Sequence, residues 1–138
     1  MTGPEPAIEA QTWQMALDFL QEAERASPAI MPRMATHAAY YAMYHAARAV
    51  LIRAFGLRAP TKHSVVVGRF GQLAKQAGNA DLMAAGRLIN EMQEERLLSD
   101  YAAGRRPPAA DAAAAVRDAR SFLEACARHH GFQPPNAP

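Results

Sequence analysis

Residues 32–56 read PRMATHAAYYAMYHAARAVLIRAFG and form the longest helical pattern in the chain. Proline suits the first position of a helix, and Gly56 suits the position just beyond its end. At 100° per residue, one stripe of this pattern carries large, mainly apolar side chains within about 60° of one another. These are Tyr40, Tyr44, Leu51 and Phe55. The stripe is predicted to face the core.

A second strip of the same helix is polar, aromatic and basic. Its members are spaced so that each lies near another at three or four positions along the helix. They are His37, Tyr41, His45 and Arg48. Polar groups on a packing face are costly unless they are paired. Two interpretations stay open: the tyrosines and histidines satisfy one another at the core edge, or the strip belongs to a binding site.

The rest of the chain is also predicted to be helical, because alanine is abundant and no alternating strand pattern occurs. Ser27-Pro28, Gly78 and the run GRRPP at 104–108 break the helical patterns. The other helices are expected at about 6–26, 63–76, 80–100 and 109–130. The prediction is a single all-α domain over residues 1–138, a five-helix bundle with its core at about 6–130 and a flexible tail over 131–138.

Charge is distributed unevenly, although the net charge is only +2. Residues 25–80 contain eight lysines and arginines and no acidic residue. Such a block is typical of a phosphate-binding surface, but it is also compatible with pairing to the acidic helices on either side.

The remaining features of the sequence mainly exclude particular classes of protein and of site. Cys126 is the single cysteine, which excludes an internal disulfide. No apolar run reaches the roughly 18–20 residues of a membrane span, and the N-terminus lacks the pattern of a signal peptide. A cytoplasmic protein that contacts no membrane is therefore expected. The chain has no glycine-rich phosphate loop and no metal-ligand spacing, so neither cofactor nor metal is expected.

The fourth helical pattern carries an arginine in line with its apolar stripe. Leu82, Ala85, Ile89 and Met92 step along at helical spacing. Arg96 comes next, followed one turn later by Asp100. An arginine there is tolerable if it pairs with Asp100 or if the seam opens into a cleft or a dimer contact. An ordinary surface pair at a helix end remains the alternative.

Four motifs in order resemble those of one known family. YYAMYHAARAVL at 40–51 resembles the Y-Y-A-x-F-H-A-A-x-A-L-L signature of small HEPN-domain proteins. TKHSV at 61–65 is similar to the stretch that opens the family's next helix. RLLSDY at 96–101 is similar to its R-x-x-A-D-Y element, and Ala119, Phe122 and Leu123 to the A-x-x-F-L of its last helix. The resemblance covers roughly residues 12–128.

The resemblance implies an up-and-down bundle of four to five helices that is usually a homodimer. In many HEPN proteins an R-x4-6-H motif from each subunit meets in a basic cleft and cuts RNA without a metal ion. Many are toxins encoded beside a minimal nucleotidyltransferase antitoxin, which can attach AMP to a tyrosine near the motif. The expected partners are therefore a second copy of the chain, RNA or a nucleotide, and such a nucleotidyltransferase.

The chain departs from the nuclease motif at one position that matters chemically. Arg96 matches the motif arginine, whereas Tyr101 stands where the histidine would fall. Histidine titrates near neutral pH, but a tyrosine with a pKa of about 10 is a poor base at pH 7. Tyr101 could instead donate a proton or be the residue that is modified. Ala38 is a second departure, because similar sequences often have arginine there.

These arguments give a set of candidate site residues. His45 is the preferred spare histidine, because the packing that the resemblance implies would bring the second helix against the fourth, which carries Arg96. The literal R-x4-H from Arg58 to His63 straddles a proline loop and is interpreted as coincidence. The candidate catalytic residues are Arg96, Asp100, Tyr101 and His45, and the candidate RNA- or nucleotide-binding residues are Tyr41, Arg48, Lys62, His63 and Arg105.

Three functions stay open. The first is an RNA- or nucleotide-binding protein of the toxin type, with metal-independent ribonuclease activity. The second is a non-catalytic helical dimer that holds a nucleotidyltransferase or another partner. The third is a sensor that binds a free nucleotide in the tyrosine-rich region.

Overall fold

The computed structural model describes residues 7–101 and 108–136, and it describes their side chains except for those of residue 57 and residues 95–101. The described residues form five α-helices and one short 3-10 turn. The helices are α1 (Ile8–Arg25), α2 (Pro32–Phe55), α3 (His63–Ala77), α4 (Ala80–Tyr101) and α5 (Ala109–His130), and the turn is Gly56–Arg58. The described residues contain no strand. The predicted all-α bundle is confirmed.

Helix α2 lies at the centre of the bundle. It contacts each of the other four helices. Four consecutive residues, Ala49 to Ile52, are all buried, so the helix is covered on every side over this part. Small alanines on several faces of α2 let its neighbours approach closely, which suits a helix that must pack against four others.

Local signals end the helices where the sequence predicts. Gly56 and Gly78 follow α2 and α3 with φ angles of 66° and 65°, a backbone region in which other residues are strained. The side-chain oxygen of Asn79 accepts a hydrogen bond from the backbone N–H of Leu82 at 3.1 Å and caps the start of α4.

The predicted core stripe of α2 needs one correction. Tyr40, Tyr44 and Leu51 are buried, but Phe55 is 46% exposed. Arg53 and Ala54 are exposed as well. A helical wheel treats every turn of a long helix alike, whereas here the neighbouring elements leave the last turn of α2 largely uncovered.

The segment after α5 also differs from the expected flexible tail. Phe132 is buried and its ring stacks on Trp13, with the centroids 4.6 Å apart. The Trp13 indole donates a hydrogen bond to the carbonyl oxygen of Gln133 at 2.8 Å. Arg120 donates another to the carbonyl oxygen of Asn136 at 2.7 Å. Residues 132–136 therefore pack on α1 and α5.

Candidate functional site

Five side chains from two helices form an aromatic group that we call the tyrosine–histidine cluster: Tyr40, Tyr41, Tyr44, His45 and His63. The first four come from two turns of α2, and the fifth is the first residue of α3. Alanines and Met43 fill the opposite side of this part of α2 and are buried. The core packing of α2 thus sets the direction in which the cluster side chains project.

Two tyrosines hold the start of α3 against α2. The Tyr40 hydroxyl lies 2.9 Å from His63 Nδ1, in hydrogen-bonding contact. The Tyr44 hydroxyl donates a hydrogen bond to the backbone carbonyl of Thr61. The ring of His63 stacks on that of Tyr44, with 3.9 Å between centroids and 14° between planes. The ring of His63 is therefore fixed by a hydrogen bond and a stacking contact.

The second histidine of the cluster is His45, which directly follows Tyr44 on α2. The His45 ring stacks on Phe19 of α1, with centroids 5.4 Å apart and planes 7° apart, and it meets the Tyr44 ring edge-on at 5.0 Å. His45 is half-buried, and its Nδ1 atom is buried with no hydrogen-bond partner in the described structure. His45 and His63 therefore contact the same tyrosine ring from two helices.

Burial and charge keep the His45 ring neutral. Burial lowers its pKa below the ordinary 6.5, and electrostatic interaction with Arg48 and His63 lowers it further. A neutral imidazole near pH 7 has a lone pair that can accept a proton. The environment thus favours the form of histidine that acts as a base.

The pKa of Tyr44 is shifted in the opposite direction to that of His45. Burial raises the pKa of its phenol above 10.0, with Arg48 as a smaller opposing influence. The phenol therefore stays protonated at neutral pH and remains a hydrogen-bond donor, which is how Thr61 is held.

The cationic side chains of α2 and of the loop that follows it differ in their partners. Arg48 is half-buried beside His45 and Tyr44, and its Nε atom is buried with no hydrogen-bond partner in the described part of the chain. Lys62 is exposed and adjoins His63. Arg53, in contrast, is used within the fold: it pairs with Glu9 at 3.6 Å and lies 3.7 Å from the centroid of the Phe132 ring.

A comparison with protein-family models gives one match. The model of the HEPN domain matches residues 10–129. This chain belongs to the HEPN-domain family. Proteins of this family are generally connected with RNA cleavage or with nucleotides. No curated protein and no solved structure matches the chain.

In a HEPN-family chain the motif arginine is expected near the end of α4. The backbone of α4 is helical as far as Tyr101, and α4 packs against α2. The side chains of Arg96, Asp100 and Tyr101 lie outside the described residues, as does Arg105 altogether. The convergence of His45 with Arg96, Asp100 and Tyr101 therefore stays a prediction.

The structure brings four of the other predicted site residues together. Tyr41, His45 and His63 belong to the cluster, and Arg48 acts on it through its charge. Lys62 follows Thr61 in the loop that Tyr44 holds. Within this HEPN chain, Tyr41, His45 and Arg48 of α2 thus lie together with His63 at the start of α3.

Sequence reasoning missed the connection between Tyr40 and His63. It assigned Tyr40 to the core, and it treated the R-x4-H that ends at His63 as a coincidence. Arg58 is exposed in the 3-10 turn. His63 belongs to the cluster through tertiary packing instead. The sequence signal for this contact was that His63 comes directly after a turn and begins the helix α3, whose start meets α2.

Metal-binding groups and membrane-spanning helices are both absent from the described part of the chain. Within residues 7–101 and 108–136, no group of three or more histidine, cysteine, aspartate or glutamate side chains is arranged to hold a metal ion. Over the same residues, no helix combines the length and the apolar character that crossing a membrane requires.

Proposed function

We propose that this HEPN-family protein is a homodimer that binds RNA at the tyrosine–histidine cluster and cleaves it without a metal ion, as the toxin of a HEPN/nucleotidyltransferase pair. The observation that carries the proposal is the meeting of two histidines, from α2 and α3, on the ring of Tyr44 beside Arg48. This arrangement supplies groups for proton transfer and a cation for phosphate in one place.

The chemistry assigned to the site is transfer of a proton from the RNA 2′-hydroxyl. His45 is suited to take this proton, because burial and Arg48 hold its pKa low. Arg96 would bind the phosphate, and Asp100 would orient the arginine. Tyr101 would donate a proton or position the phosphate, since a phenol is a weak base at neutral pH.

Charge supports RNA as the ligand. Acidic residues are absent from 25–80, the segment that contains the whole cluster. Exposed cations of this segment include Arg33, Arg58 and Lys62. A ligand bound through its phosphates releases counterions, so affinity should fall steeply as salt is raised.

Cleavage of cellular RNA and tRNA by the purified protein in EDTA tests the proposal. The variants Arg96→Ala and His45→Gln should each lower the rate by at least about 100-fold, as expected for loss of a phosphate clamp or a general base. Arg117→Ala is the matched control, because Arg117 is exposed on α5, outside the basic segment. Equal cleavage by all four proteins, or none by the wild type, would reject the ribonuclease.

A second candidate function is an interaction module that holds a nucleotidyltransferase. The observation that favours it is a group of exposed apolar side chains where α2 begins: Ile30 is 74% exposed, Met31 46% and Met34 61%. Large apolar side chains grouped in this way often mark a protein contact. Met34→Asp should then abolish copurification with a coexpressed nucleotidyltransferase and leave RNA binding unchanged. Persistent copurification would reject this surface as the contact.

A further inference from the structure

His63 lies at the junction between the loop after α2 and helix α3. It is the first residue of α3, and Thr61 and Lys62 precede it in the connecting loop. Tyr44 binds the carbonyl of Thr61, and Tyr40 contacts His63 itself. Two separate contacts from α2 therefore fix the backbone and the side chain at this point.

The two histidines share their surroundings but differ in their contacts. The His63 ring lies 3.9 Å from Tyr44 and 5.8 Å from Tyr41, measured between centroids. The His45 ring lies 5.0 Å and 6.5 Å from the same two rings. His63 has the Tyr40 oxygen at 2.9 Å, which can accept a hydrogen bond from a protonated imidazole. His45 Nδ1 has no such oxygen within the described structure.

Metal-free cleavage of RNA needs a base and an acid at the same time. One histidine cannot take the 2′-hydroxyl proton and protonate the leaving oxygen in a single step. The chain has tyrosine at position 101, where a second proton-transfer histidine would be expected from the resemblance. A histidine held beside His45 would meet the requirement.

We propose that His63 is the general acid that works with His45 as the general base in RNA cleavage, and that Tyr40 positions His63. The inference rests on the ribonuclease proposed above. His45 takes the proton from the 2′-hydroxyl while the 2′-oxygen forms a bond to phosphorus. The bond from phosphorus to the 5′-oxygen breaks, and His63 gives that oxygen a proton. The products are a 2′,3′-cyclic phosphate and a 5′-hydroxyl.

The pH dependence of this pair follows from its neighbours. Among the side chains that the structure describes, the titratable and charged groups facing His45 are Arg48, Tyr41 and Tyr44 from α2 and His63 from α3; α1 contributes the uncharged Phe19 ring. The rate requires neutral His45 and protonated His63, so the pH–rate profile of the wild type should be bell-shaped. His63→Gln should remove the decline on the alkaline side, and His45→Gln the decline on the acidic side.

A substrate with a good leaving group separates the two roles. His63→Gln should lower kcat on RNA by at least about 100-fold, since general acid catalysis commonly contributes that much. On uridine 3′-(4-nitrophenyl phosphate), whose leaving group needs no proton, the loss should be less than about tenfold. His45→Gln should lose activity on both substrates. Tyr40→Phe, which keeps the ring and removes the oxygen, should lower kcat on RNA without raising KM.

His129→Gln is the matched control, because His129 lies outside the cluster and contacts Asp81 at 3.2 Å. Circular dichroism establishes that each variant is folded. If wild type cleaves RNA and His63→Gln cleaves it at the rate of His129→Gln, the role of His63 is rejected while the ribonuclease stands. An equal loss on RNA and on the nitrophenyl ester would also reject the acid role. A wild type that cleaves no RNA overturns both proposals.

Discussion

Replacement of Phe132 by alanine should destabilise the protein strongly, although the residue lies beyond the last helix. The Phe132 side chain is 7% exposed. Its ring stacks on Trp13 at 4.6 Å with 14° between planes, and the Arg53 guanidinium lies 3.7 Å from its centroid. Truncation removes buried apolar area, an aromatic pair and a cation–π contact together.

The magnitude follows from these three losses. Phe-to-Ala changes in cores cost about 3–5 kcal/mol, of which the aromatic pair accounts for about 1 kcal/mol and a cation–π contact for about 0.5–1 kcal/mol. Phe132 lies in a segment without regular structure, which can relax around the loss, so the lower end, about 3 kcal/mol, is expected. In a domain of this size that corresponds to a fall in Tm of roughly 10 °C.

Trp13 makes the assay direct, because it is the single tryptophan of the chain and only 3% exposed. Urea unfolding followed by its fluorescence should give a lower midpoint for Phe132→Ala, and the native emission should shift to the red. Phe55→Ala is the matched control: Phe55 is 46% exposed, so its loss should cost less than about 1 kcal/mol. Phe132→Leu, which keeps much of the apolar area, should cost about 1–2 kcal/mol.

One result would refute this reasoning. Phe132→Ala and Phe55→Ala would unfold at the same urea concentration, and the Trp13 emission of the native protein would be unchanged. Residues 132–136 would then contribute nothing to stability, as the expectation of a flexible tail implies.

Three further predictions concern charge and burial. Arg120 donates two hydrogen bonds to Glu24, at 2.6 and 2.9 Å, so Arg120→Ala should lower the free energy of unfolding by about 1–3 kcal/mol. A double-mutant cycle with Glu24→Ala should give a coupling free energy of about 1 kcal/mol or more, and strict additivity of the two substitutions would contradict a stabilising interaction between these side chains. Burial lowers the pKa of His45 and of His130 below 6.5, so the unfolded chain binds more protons than the native one, and the free energy of unfolding should fall as pH drops from about 7 to 5. When both histidines are replaced by glutamine, the urea midpoint should depend less steeply on pH. An unchanged pH dependence of the midpoint would exclude the two histidines as the cause. Burial also raises the pKa of the Cys126 thiol far above its usual value, so a thiol reagent should label Cys126 only at the rate at which the protein unfolds. Rapid labelling of the native protein would contradict the burial of this thiol.

The sequence alone determined the helices, because the signals that begin and end them are local. Alanine-rich patterns, Pro32 at a helix start and Gly56 and Gly78 at helix ends act within a few residues. The predicted α2 and α5 agree with the structure at both ends, and α1, α3 and α4 differ by no more than two residues at either end. The four quoted motifs also identified the family that the HEPN-domain match confirms.

Only the tertiary structure decided which side chains meet. A helical pattern shows which residues share a face, but it contains no information on how far the neighbouring elements extend. Phe55 was therefore placed in the core although it is exposed, and Phe132 in a flexible tail although it is buried. Both errors arise at positions whose surroundings come from distant parts of the chain.

The candidate site divides in the same way. The strip of Tyr41, His45 and Arg48 was predictable, because these residues are neighbours on one helix. The contact of Tyr40 with His63 joins residues 23 positions apart, across a turn and between two helices. Helical periodicity cannot give such a contact, because it depends on the angle and depth at which α3 packs on α2. The core sets that packing, and the packing brings His45 and His63, which are separated along the chain, into one cluster.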